Sequence, residues 1–261
     1  MGIRYRMVDL LYEAEYSPSE PFEVDFFGLR YLGNLNCYLD WNVYFFGAAA
    51  KQTLFLLRDL IASKPDSVFV DVGANVGEFT LFMSRFASHV HAFEPWETVR
   101  SAMSRNIERN SLTNIKVHPV GLGEKDESLL FYAPLGANTG TGSFSPAHAT
   151  DRNRPLRKLE VRKGDDYFKS QGISRVDLLK IDVEGWERYV LSGLRSTLAL
   201  LKPVVLMEVS ETTLASFGSL DGFRQCIPSD YCAYSVEFGR RGTRYLPFDG
   251  KRAGEVLLRV P

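Results

Sequence analysis

Two glycines four residues apart mark the first candidate site, in a segment that reads DVGANVG from Asp71 to Gly77. Such glycines permit a tight turn between a strand and a helix and let a ligand approach the backbone closely. Asn75 and Glu78 stand where a dinucleotide fingerprint has its later glycines, and no P-loop Gly-Lys-Ser/Thr follows. The acidic Asp71 and Glu78 favour a ligand with an ammonium and a sulfonium over a pyrophosphate. An ordinary strand-to-helix turn is the alternative.

A further acid, Glu94, lies 23 positions after Asp71, in the segment HAFEP. At about that distance, nucleotide-binding folds carry an acid that binds the hydroxyl groups of a ribose. Pro95 then fixes the direction of the chain as it leaves the strand. A solvated charge would account for Glu94 by itself, but together with the glycine loop it predicts ribose binding.

Two more carboxylates follow apolar runs that are typical of buried strands. Asp182 comes directly after VDLLKI, and Glu208 ends VVLME. If these runs are neighbouring parallel strands, both acids lie at one edge of the sheet. Asp182 would then serve as a base for, or orient, a hydroxyl or amide nucleophile; a helix-capping aspartate is the alternative. The pair would also suit Mg²⁺, but no third ligand is evident and we expect a metal-free site.

Strands alternate with helices over most of the chain, and these elements must position the candidate residues. Apolar runs predict parallel strands at Ser67–Val72, Val90–Phe93, Ile115–Gly121, Val176–Ile181 and Val204–Glu208. Helical patterns occur at Gly77–Ala87, Glu97–Asn110 and Glu187–Leu201. With closing strands at Tyr231–Phe238 and Glu255–Val260, the pattern predicts an α/β fold with a doubly wound, mostly parallel sheet of seven strands. Ligands of such sheets bind beyond the carboxyl ends of the strands, where the candidate residues fall.

Segments outside this alternation are less regular. Residues 1–35 are mixed in composition and are interpreted as an N-terminal extension, and Asp40–Ser63 contains one predicted helix. Ser128–Tyr132 predicts a strand that belongs to a hairpin. Gly136–Arg157 is rich in Gly, Asn, Thr and Ser and predicts a long loop. Loops of that length are usually functional or disordered.

The composition excludes several classes of protein. The 261 residues contain 31 Lys and Arg against 32 Asp and Glu, a net charge of −1, with 45% hydrophobic and 24% charged residues. These values exclude disorder and coiled coils, and the neutral balance argues against a nucleic-acid partner. Three cysteines without a C-x-x-C pair and four histidines without H-E-x-x-H predict neither disulfides nor a zinc site. Because no signal peptide or membrane-spanning run is evident, we expect a cytoplasmic location; the oligomeric state stays open.

Taken together, the motifs resemble those of class I S-adenosylmethionine-dependent methyltransferases, and in particular the FkbM family. Residues 71–77 and Phe93-Glu94-Pro95 are similar to the cofactor motifs of that class. The segment LKIDVEGWE, from Leu179 to Glu187, is similar to the family signature K-I-D-V-E-G-x-E. Tyr44-Phe45-Phe46-Gly47 and the NTGTGS segment at 138–143 also resemble the family. The joint pattern covers most of the chain and is far more specific than any single motif.

The resemblance implies transfer of the methyl group of S-adenosylmethionine to a nucleophile, with S-adenosylhomocysteine as the other product. The cofactor-binding residues expected on this basis are Asp71, Val72, Gly73, Ala74, Asn75, Gly77, Thr80, Glu94, Pro95, Gly121, Leu122 and Asp182. Asp182 and Glu208 are the expected catalytic residues. We expect the acceptor to be a hydroxyl on a sugar, a glycan or a secondary metabolite, with a peptide side-chain amide as the alternative.

We expect a single α/β domain with an N-terminal extension. Residues 1–63 would form an N-terminal extension and helix, acting as a lid or on the acceptor side, and 64–261 a Rossmann-like methyltransferase domain. An aromatic group at the start of that helix would be core or a lid over the sulfonium: Tyr38, Trp41, Tyr44, Phe45 and Phe46. Two segments depart from the family pattern, Gly164-Asp165-Asp166 and Ala48-Ala49-Ala50. These departures bear on the acceptor pocket and not on the cofactor site.

Two readings lie outside methyl transfer. One is an NAD-dependent oxidoreductase on a similar sheet, which Asn75 and Glu78 disfavour. The other is a binding module without chemistry, which the retained Asp182 and Glu208 disfavour.

Overall fold

The computed structural model describes residues 17–62, 64–148, 153–240 and 242–261. In these residues the strands are β1 (Pro21–Phe26), β2 (Leu29–Asn34), β3 (Val68–Val72), β4 (His89–Phe93), β5 (Ile115–His118), β6 (Gly121–Gly123), β7 (Glu127–Pro134), β8 (Asn153–Lys163), β9 (Leu178–Ile181), β10 (Val204–Val209), β11 (Cys232–Gly239), β12 (Gly242–Pro247) and β13 (Gly254–Arg259). The α-helices are α1 (Tyr38–Phe46), α2 (Lys51–Ile61), α3 (Glu78–Met83), α4 (Glu97–Arg109), α5 (Gly164–Ser170), α6 (Glu187–Gly193), α7 (Arg195–Leu201), α8 (Glu211–Phe217) and α9 (Leu220–Gln225). Residues 1–16 of the predicted extension and 149–152 of the predicted loop lie outside the described residues.

The main sheet has eight strands in the order β12-β11-β13-β10-β9-β3-β4-β5. Five neighbouring strands run parallel, in the order β10, β9, β3, β4 and β5. β13, β11 and β12 add an antiparallel edge beside β10. All five residues of β3 are buried, as expected for a central strand covered on both faces. This confirms the predicted α/β class and its mostly parallel sheet, with one strand more than expected.

Both faces of the sheet are packed because side chains alternate along each strand. Val70 and Val72 of β3 join one core cluster with Leu179 and Val205. Phe69, the residue before Val70, belongs to a second cluster on the opposite face. Helices cover both faces, which is the arrangement that makes the sheet doubly wound.

The order of the strands reverses beside β3. The chain proceeds from β3 to β4 and β5 on one side, whereas β9 and β10 lie on the other. Val72 is paired with Ile181, so the loop after β3 and the loop after β9 leave the sheet side by side. Such a reversal point opens a crevice at the carboxyl ends of the strands, where α/β proteins bind their ligands.

The structure differs from the prediction around the third strand. Ile115–Gly121 was expected to be one strand, but it divides into β5 and β6. β6 leaves the main sheet and pairs with β8 in a separate sheet of order β6-β8-β7. The predicted loop Gly136–Arg157 runs into β8, whose burial pattern is largely exposed and therefore lacks the apolar run that predicts a strand.

The N-terminal segment is also more structured than expected. Residues of the predicted extension form the hairpin β1–β2. The helix expected within Asp40–Ser63 is interrupted at Gly47, which takes the left-handed conformation with φ 80° and ends α1. The helix expected at Glu187–Leu201 is likewise divided, at Leu194. Across the described ranges, no helix is both long and apolar enough to cross a membrane.

Candidate active site

A cavity of about 280 Å³ lies at the reversal point, beyond the carboxyl ends of the parallel strands. Ten of the predicted site residues line it: Val72, Gly73, Ala74, Asn75, Glu94, Pro95, Gly121, Leu122, Asp182 and Glu208. Asp71, Gly77 and Thr80 are not part of its wall. The fold thus brings residues from several strand ends to one cavity, although the first and last of them are more than a hundred positions apart in the chain.

The glycine loop is shaped by the neighbouring loop rather than by a ligand. Gly73 has φ 84°, and the N–H groups of Gly73 and Ala74 both donate to the carbonyl of Phe93, at 3.0 and 3.1 Å. A Cβ atom at Gly73 would overlap the carbonyl oxygen of Asp182. A side chain at position 73 would therefore push apart the two loops that form the cavity, so Gly73 is required by the fold as well as by any ligand.

Asp71 and Thr80 lie behind the loop. The Thr80 hydroxyl donates to Asp71 Oδ2 at 2.7 Å, and both side chains are fully buried. Burial raises the pKa of Asp71, and its Oδ1 has no hydrogen-bond partner in the described part of the chain. Both residues therefore support the loop from within the core, instead of facing the cavity as the motif suggests.

Glu94 faces the cavity at the end of β4. Its two carboxylate oxygens accept hydrogen bonds from the backbone N–H groups of Asn75 at 2.9 Å and Trp96 at 2.8 Å. Burial raises the pKa of Glu94 to about 7, although these two hydrogen bonds favour the ionised form. Each oxygen retains a lone pair, so the carboxylate can accept further hydrogen bonds from hydroxyl groups in the cavity.

An apolar wall flanks Glu94, and the sequence predicted only Leu122 of it. Trp96, Leu122, Phe131 and Phe144 line this side of the cavity. The Phe131 ring lies 5.7 Å from that of Trp96 and 5.3 Å from that of Phe144, measured between centroids. Phe131 belongs to β7, which the sequence predicted as a strand at Ser128–Tyr132. The predicted hairpin was wrong, because β7 pairs with the later strand β8 and not with β6. Such a wall suits a flat aromatic ligand group.

Asp182 forms a salt bridge with Lys180, two residues earlier, at the other end of the cavity. Lys180 Nζ lies 2.9 Å from Asp182 Oδ2 and 4.2 Å from the centroid of the Phe79 ring. Burial by itself lowers the pKa of Lys180, but Asp182 and Asp71 outweigh it and hold the pKa above its usual value. Lys180 belongs to the signature segment, but no role was predicted for it. A lysine inside an otherwise apolar strand was the available signal.

Further carboxylates surround this ion pair. Glu208 is the register partner of Glu255 on the antiparallel strand β13, and both line the cavity together with Glu184. The charge of Asp182 is the main cause that raises the pKa of Glu208 to about 7. Burial raises the pKa of Glu184 to about 8 and that of Glu255 to about 7. In the residues the structure describes, no three such groups are placed to hold one metal ion.

Residues 138–143 form a strap along the cavity. The Asn75 amide donates to the carbonyl of Thr139 at 2.9 Å, and the Ser143 hydroxyl donates to the carbonyl of Glu184 at 2.6 Å. The strap therefore connects the glycine loop to the loop that follows Asp182. Several of its residues line the cavity.

The start of α1 completes the enclosure. Tyr38 and Leu39 line the cavity, and the Tyr38 N–H donates to the carbonyl of Ala137 just before the strap, at 2.9 Å. Trp41, which also belongs to α1, is by contrast fully buried. The aromatic group predicted as core or lid is thus divided, with Tyr38 at the cavity.

An α/β fold with a glycine loop, a strand-end glutamate and an acidic strand edge at one cavity is the arrangement expected of a methyltransferase. Residues 71–235 match the model of the Methyltransferase FkbM domain, and this chain belongs to that family. A family of methyltransferases accounts for the glycine loop, the acids and the signature segment together. Membership therefore favours methyl transfer over the two alternative functions, an NAD-dependent oxidoreductase and a binding module without chemistry.

Curated relatives agree with this assignment. The chain is 33% identical to Methyltransferase 1 of Beauveria bassiana, over 59% of this chain and 72% of the relative. It is 29% identical to the hexuronic acid methyltransferase AglP of Haloferax volcanii, over 55% of this chain and 56% of the relative. It is also 29% identical to the 31-O-demethyl-FK506 methyltransferase FkbM of Streptomyces tacrolimicus, over 52% of this chain and 63% of the relative. The chain thus spans little more than half of the length of some of these relatives.

Proposed function

We propose that the chain transfers a methyl group from S-adenosylmethionine to a hydroxyl group on a sugar, a glycan or a secondary metabolite. The observation that supports this most directly is the cavity itself. One end offers Glu94 and an apolar wall, the other end offers Asp182 and Glu208, and the glycine loop lies between them. The names of two relatives specify an acceptor, which is a hexuronic acid in one and 31-O-demethyl-FK506 in the other.

The residues at the Glu94 end fit the cofactor. In this proposal the Glu94 carboxylate accepts hydrogen bonds from the ribose hydroxyls, which is the role of a strand-end acid in nucleotide-binding folds. Leu122, Phe131 and Phe144 pack against the adenine, and Gly121 leaves room for Phe144, since a Cβ atom there would lie 2.7 Å from that ring. When bound, S-adenosylmethionine supplies an activated methyl group on a positively charged sulfur.

Asp182 is suited to hold the acceptor. Its Oδ2 is occupied by Lys180, whereas Oδ1 accepts no hydrogen bond from the residues the structure describes. The side chain is 25% exposed, within the cavity wall. Oδ1 would accept the hydrogen bond of the acceptor hydroxyl and take its proton as the new bond forms, while Lys180 keeps the carboxylate oriented.

The two-part organisation extends the proposal. Residues 1–63 would act on the acceptor side, because Tyr38, Leu39, Ala49 and Ala50 line the cavity. Residues 64–261 would form the catalytic domain. Where the family frequently has an acid after Gly47, this chain has alanines whose N–H groups donate to the buried Glu78 carboxylate, at 2.8 Å for Ala49.

The test is ligand binding followed by transfer. Calorimetry should detect S-adenosylhomocysteine and not NAD, and the reverse result would overturn the proposal. Tritium from the labelled methyl group of S-adenosylmethionine would then be followed into three probes: a methyl hexoside, a hydroxylated macrocycle and an asparagine-containing peptide. We expect label in a hydroxyl probe. Label in the peptide alone would replace O-methylation by methylation of a side-chain amide.

A further inference from the structure

Glu187 is a buried acid that lies outside the cavity yet contacts the loop that carries Asp182. It is 1% exposed and is the first residue of α6. Its Oε1 accepts hydrogen bonds from the N–H groups of Val183 at 3.0 Å and Gly185 at 3.2 Å. One carboxylate oxygen therefore holds the backbone on both sides of Glu184.

The loop needs this support because its backbone conformation is unusual. Glu184 has φ 52° and Gly185 has φ 91°, so two consecutive residues are left-handed. For a residue with a side chain, this conformation is unfavourable and persists only where the surroundings impose it. On its other side, the loop is attached to the sheet by the N–H of Asp182, which donates to the carbonyl of Val72 at 3.0 Å. The direction of the Asp182 side chain is set between these two attachments.

The second oxygen of Glu187 reaches the segment that follows the strand of Glu208. Its Oε2 accepts a hydrogen bond from the hydroxyl of Thr213 at 2.7 Å. Thr213 and Ser210 form a reciprocal capping box at the start of α8, directly after β10. Ser210 is two positions after Glu208. A continuous set of hydrogen bonds thus joins the loop of Asp182 to the end of the strand of Glu208.

We propose that Glu187, through its bonds to the loop after β9 and to Thr213, is a positioning residue that sets Asp182 relative to Glu208. The inference rests on the proposed function, in which Asp182 holds the acceptor. Glu187 does not touch the ligand in this scheme. It acts through Asp182, and small displacements of a reacting group lower the rate of transfer steeply.

Single substitutions at Thr213 test the connection to β10. Thr213→Val removes the hydroxyl that Glu187 accepts, Thr213→Ser retains it, and Ser210→Ala weakens the same helix cap without removing that bond. With the best acceptor from the probe set, we expect Thr213→Val to lower kcat about tenfold, while the other two stay within about twofold. S-adenosylhomocysteine affinity should stay unchanged in all three. Equal losses of kcat in Thr213→Val and Ser210→Ala would show a helix-capping role only and overturn the inference.

A readout without an acceptor is the titration of Glu208, followed by NMR of glutamate side-chain carboxyl carbons. The charge of Asp182 is the main cause that raises the pKa of Glu208 to about 7. If Thr213→Val lets the two carboxylates separate, this pKa should fall towards its usual value, and it should stay near 7 in Ser210→Ala. A pKa of Glu208 that is unchanged in Thr213→Val would contradict the positioning role.

A double-mutant cycle separates this inference from the proposed function. We expect Glu187→Ala to lower kcat about 100-fold in the wild-type background and less than about threefold beside Asp182→Asn, where no base remains to be positioned. Equal losses in both backgrounds would overturn the inference. Full activity of Asp182→Asn alone would instead overturn the role of Asp182. If Glu187→Ala does not fold, Thr213→Val takes its place in the cycle.

Discussion

The two ends of the cavity hold their acids in different ways. At the Glu94 end, one carboxylate is fixed by N–H groups of Asn75 and Trp96, from the strand-end loops beside it. At the Asp182 end, acids from β10, β13 and the loop after β9 meet around a single lysine, and the charge of Asp182 is what chiefly raises the pKa of Glu208. The first end is organised by backbone hydrogen bonds, and the second by charges that depend on one another.

This difference has a consequence for mutation. A change at the Glu94 end should alter ligand affinity and little else, because its hydrogen bonds are local. A change at the Asp182 end should alter the rate of transfer and the titration of neighbouring acids, because those charges are coupled. Substitutions at the two ends should therefore be distinguishable by whether binding or turnover changes.

The largest effect is expected for Asp182→Asn. The amide keeps the shape of the side chain and removes its charge, so methyl transfer should fall about 10²–10⁴-fold, the range of one general-base contribution. S-adenosylhomocysteine affinity, measured by calorimetry, should change little. A variant with full activity would show that the charge of Asp182 is not needed for transfer, which would leave it as the salt-bridge partner of Lys180; the helix-capping alternative is already wrong, since Trp186 is the N-cap of α6.

At the other end, Glu94→Ala should weaken S-adenosylhomocysteine binding by about 1.5–3 kcal/mol, the scale of lost charge-assisted hydrogen bonds. Glu94→Gln is the matched control, because its single carbonyl oxygen still accepts one backbone N–H, and it should lie between the wild type and the alanine variant. Calorimetry gives both values. Unchanged affinity in Glu94→Ala would remove this residue from ribose binding and break the contrast between the two ends.

A smaller effect concerns stability and pH. Burial raises the pKa of Glu78 from 4.5 to about 7 in the folded chain. At a pH between these two pKa values, Glu78 is ionised in the unfolded chain and protonated in the folded chain. The free energy of unfolding therefore falls as the pH rises through this range. Glu78→Gln removes this titration while its carbonyl oxygen can still accept from Ala49 N–H.

Relative to the wild type, Glu78→Gln should therefore gain stability on the order of 1–3 kcal/mol between about pH 5 and about pH 8. Urea unfolding at both pH values measures the difference. If the stability difference between Glu78→Gln and the wild type is the same at the two pH values, the difference does not arise from the ionisation of Glu78.

The smallest expected effect is that of metal removal. Treatment with EDTA should leave the wild-type rate unchanged, because the carboxylates at the Asp182 end are expected to orient the acceptor without a metal. Activity that is lost in EDTA and restored by Mg²⁺ would instead make Asp182 and Glu208 metal ligands. In that case the coupling between their charges would reflect a cation site.

The parallel strands could be predicted from sequence because they are buried on both faces and appear as short apolar runs. β3 and β9 are recognisable in this way, and the order of the elements alone places the acids that follow them at one sheet edge. β8 could not be recognised, since most of its residues are exposed and its sequence is strongly basic. The hairpin β1–β2 is only partly buried, and its composition is that of an irregular extension.

The same division holds for the site. Gly73, Glu94 and Asp182 could be identified because motif spacing along the chain reports strand ends, which are local features. Glu255 and Phe131 could not, because they reach the cavity from a late antiparallel strand and from a separate sheet. Nothing in the spacing of the sequence records those pairings, which arise from register between distant strands.

The amino-acid sequence by itself determined the α/β class, the glycine loop and the acids at the strand ends, because buried runs and tight turns depend on neighbouring residues. Only the tertiary structure decided which acids face the cavity and which, such as Asp71, support it from behind. It also placed Lys180 against Asp182 and joined Glu187 to Thr213. The physical reason is that burial and charge coupling depend on distances in space, which pairing between remote segments alone establishes.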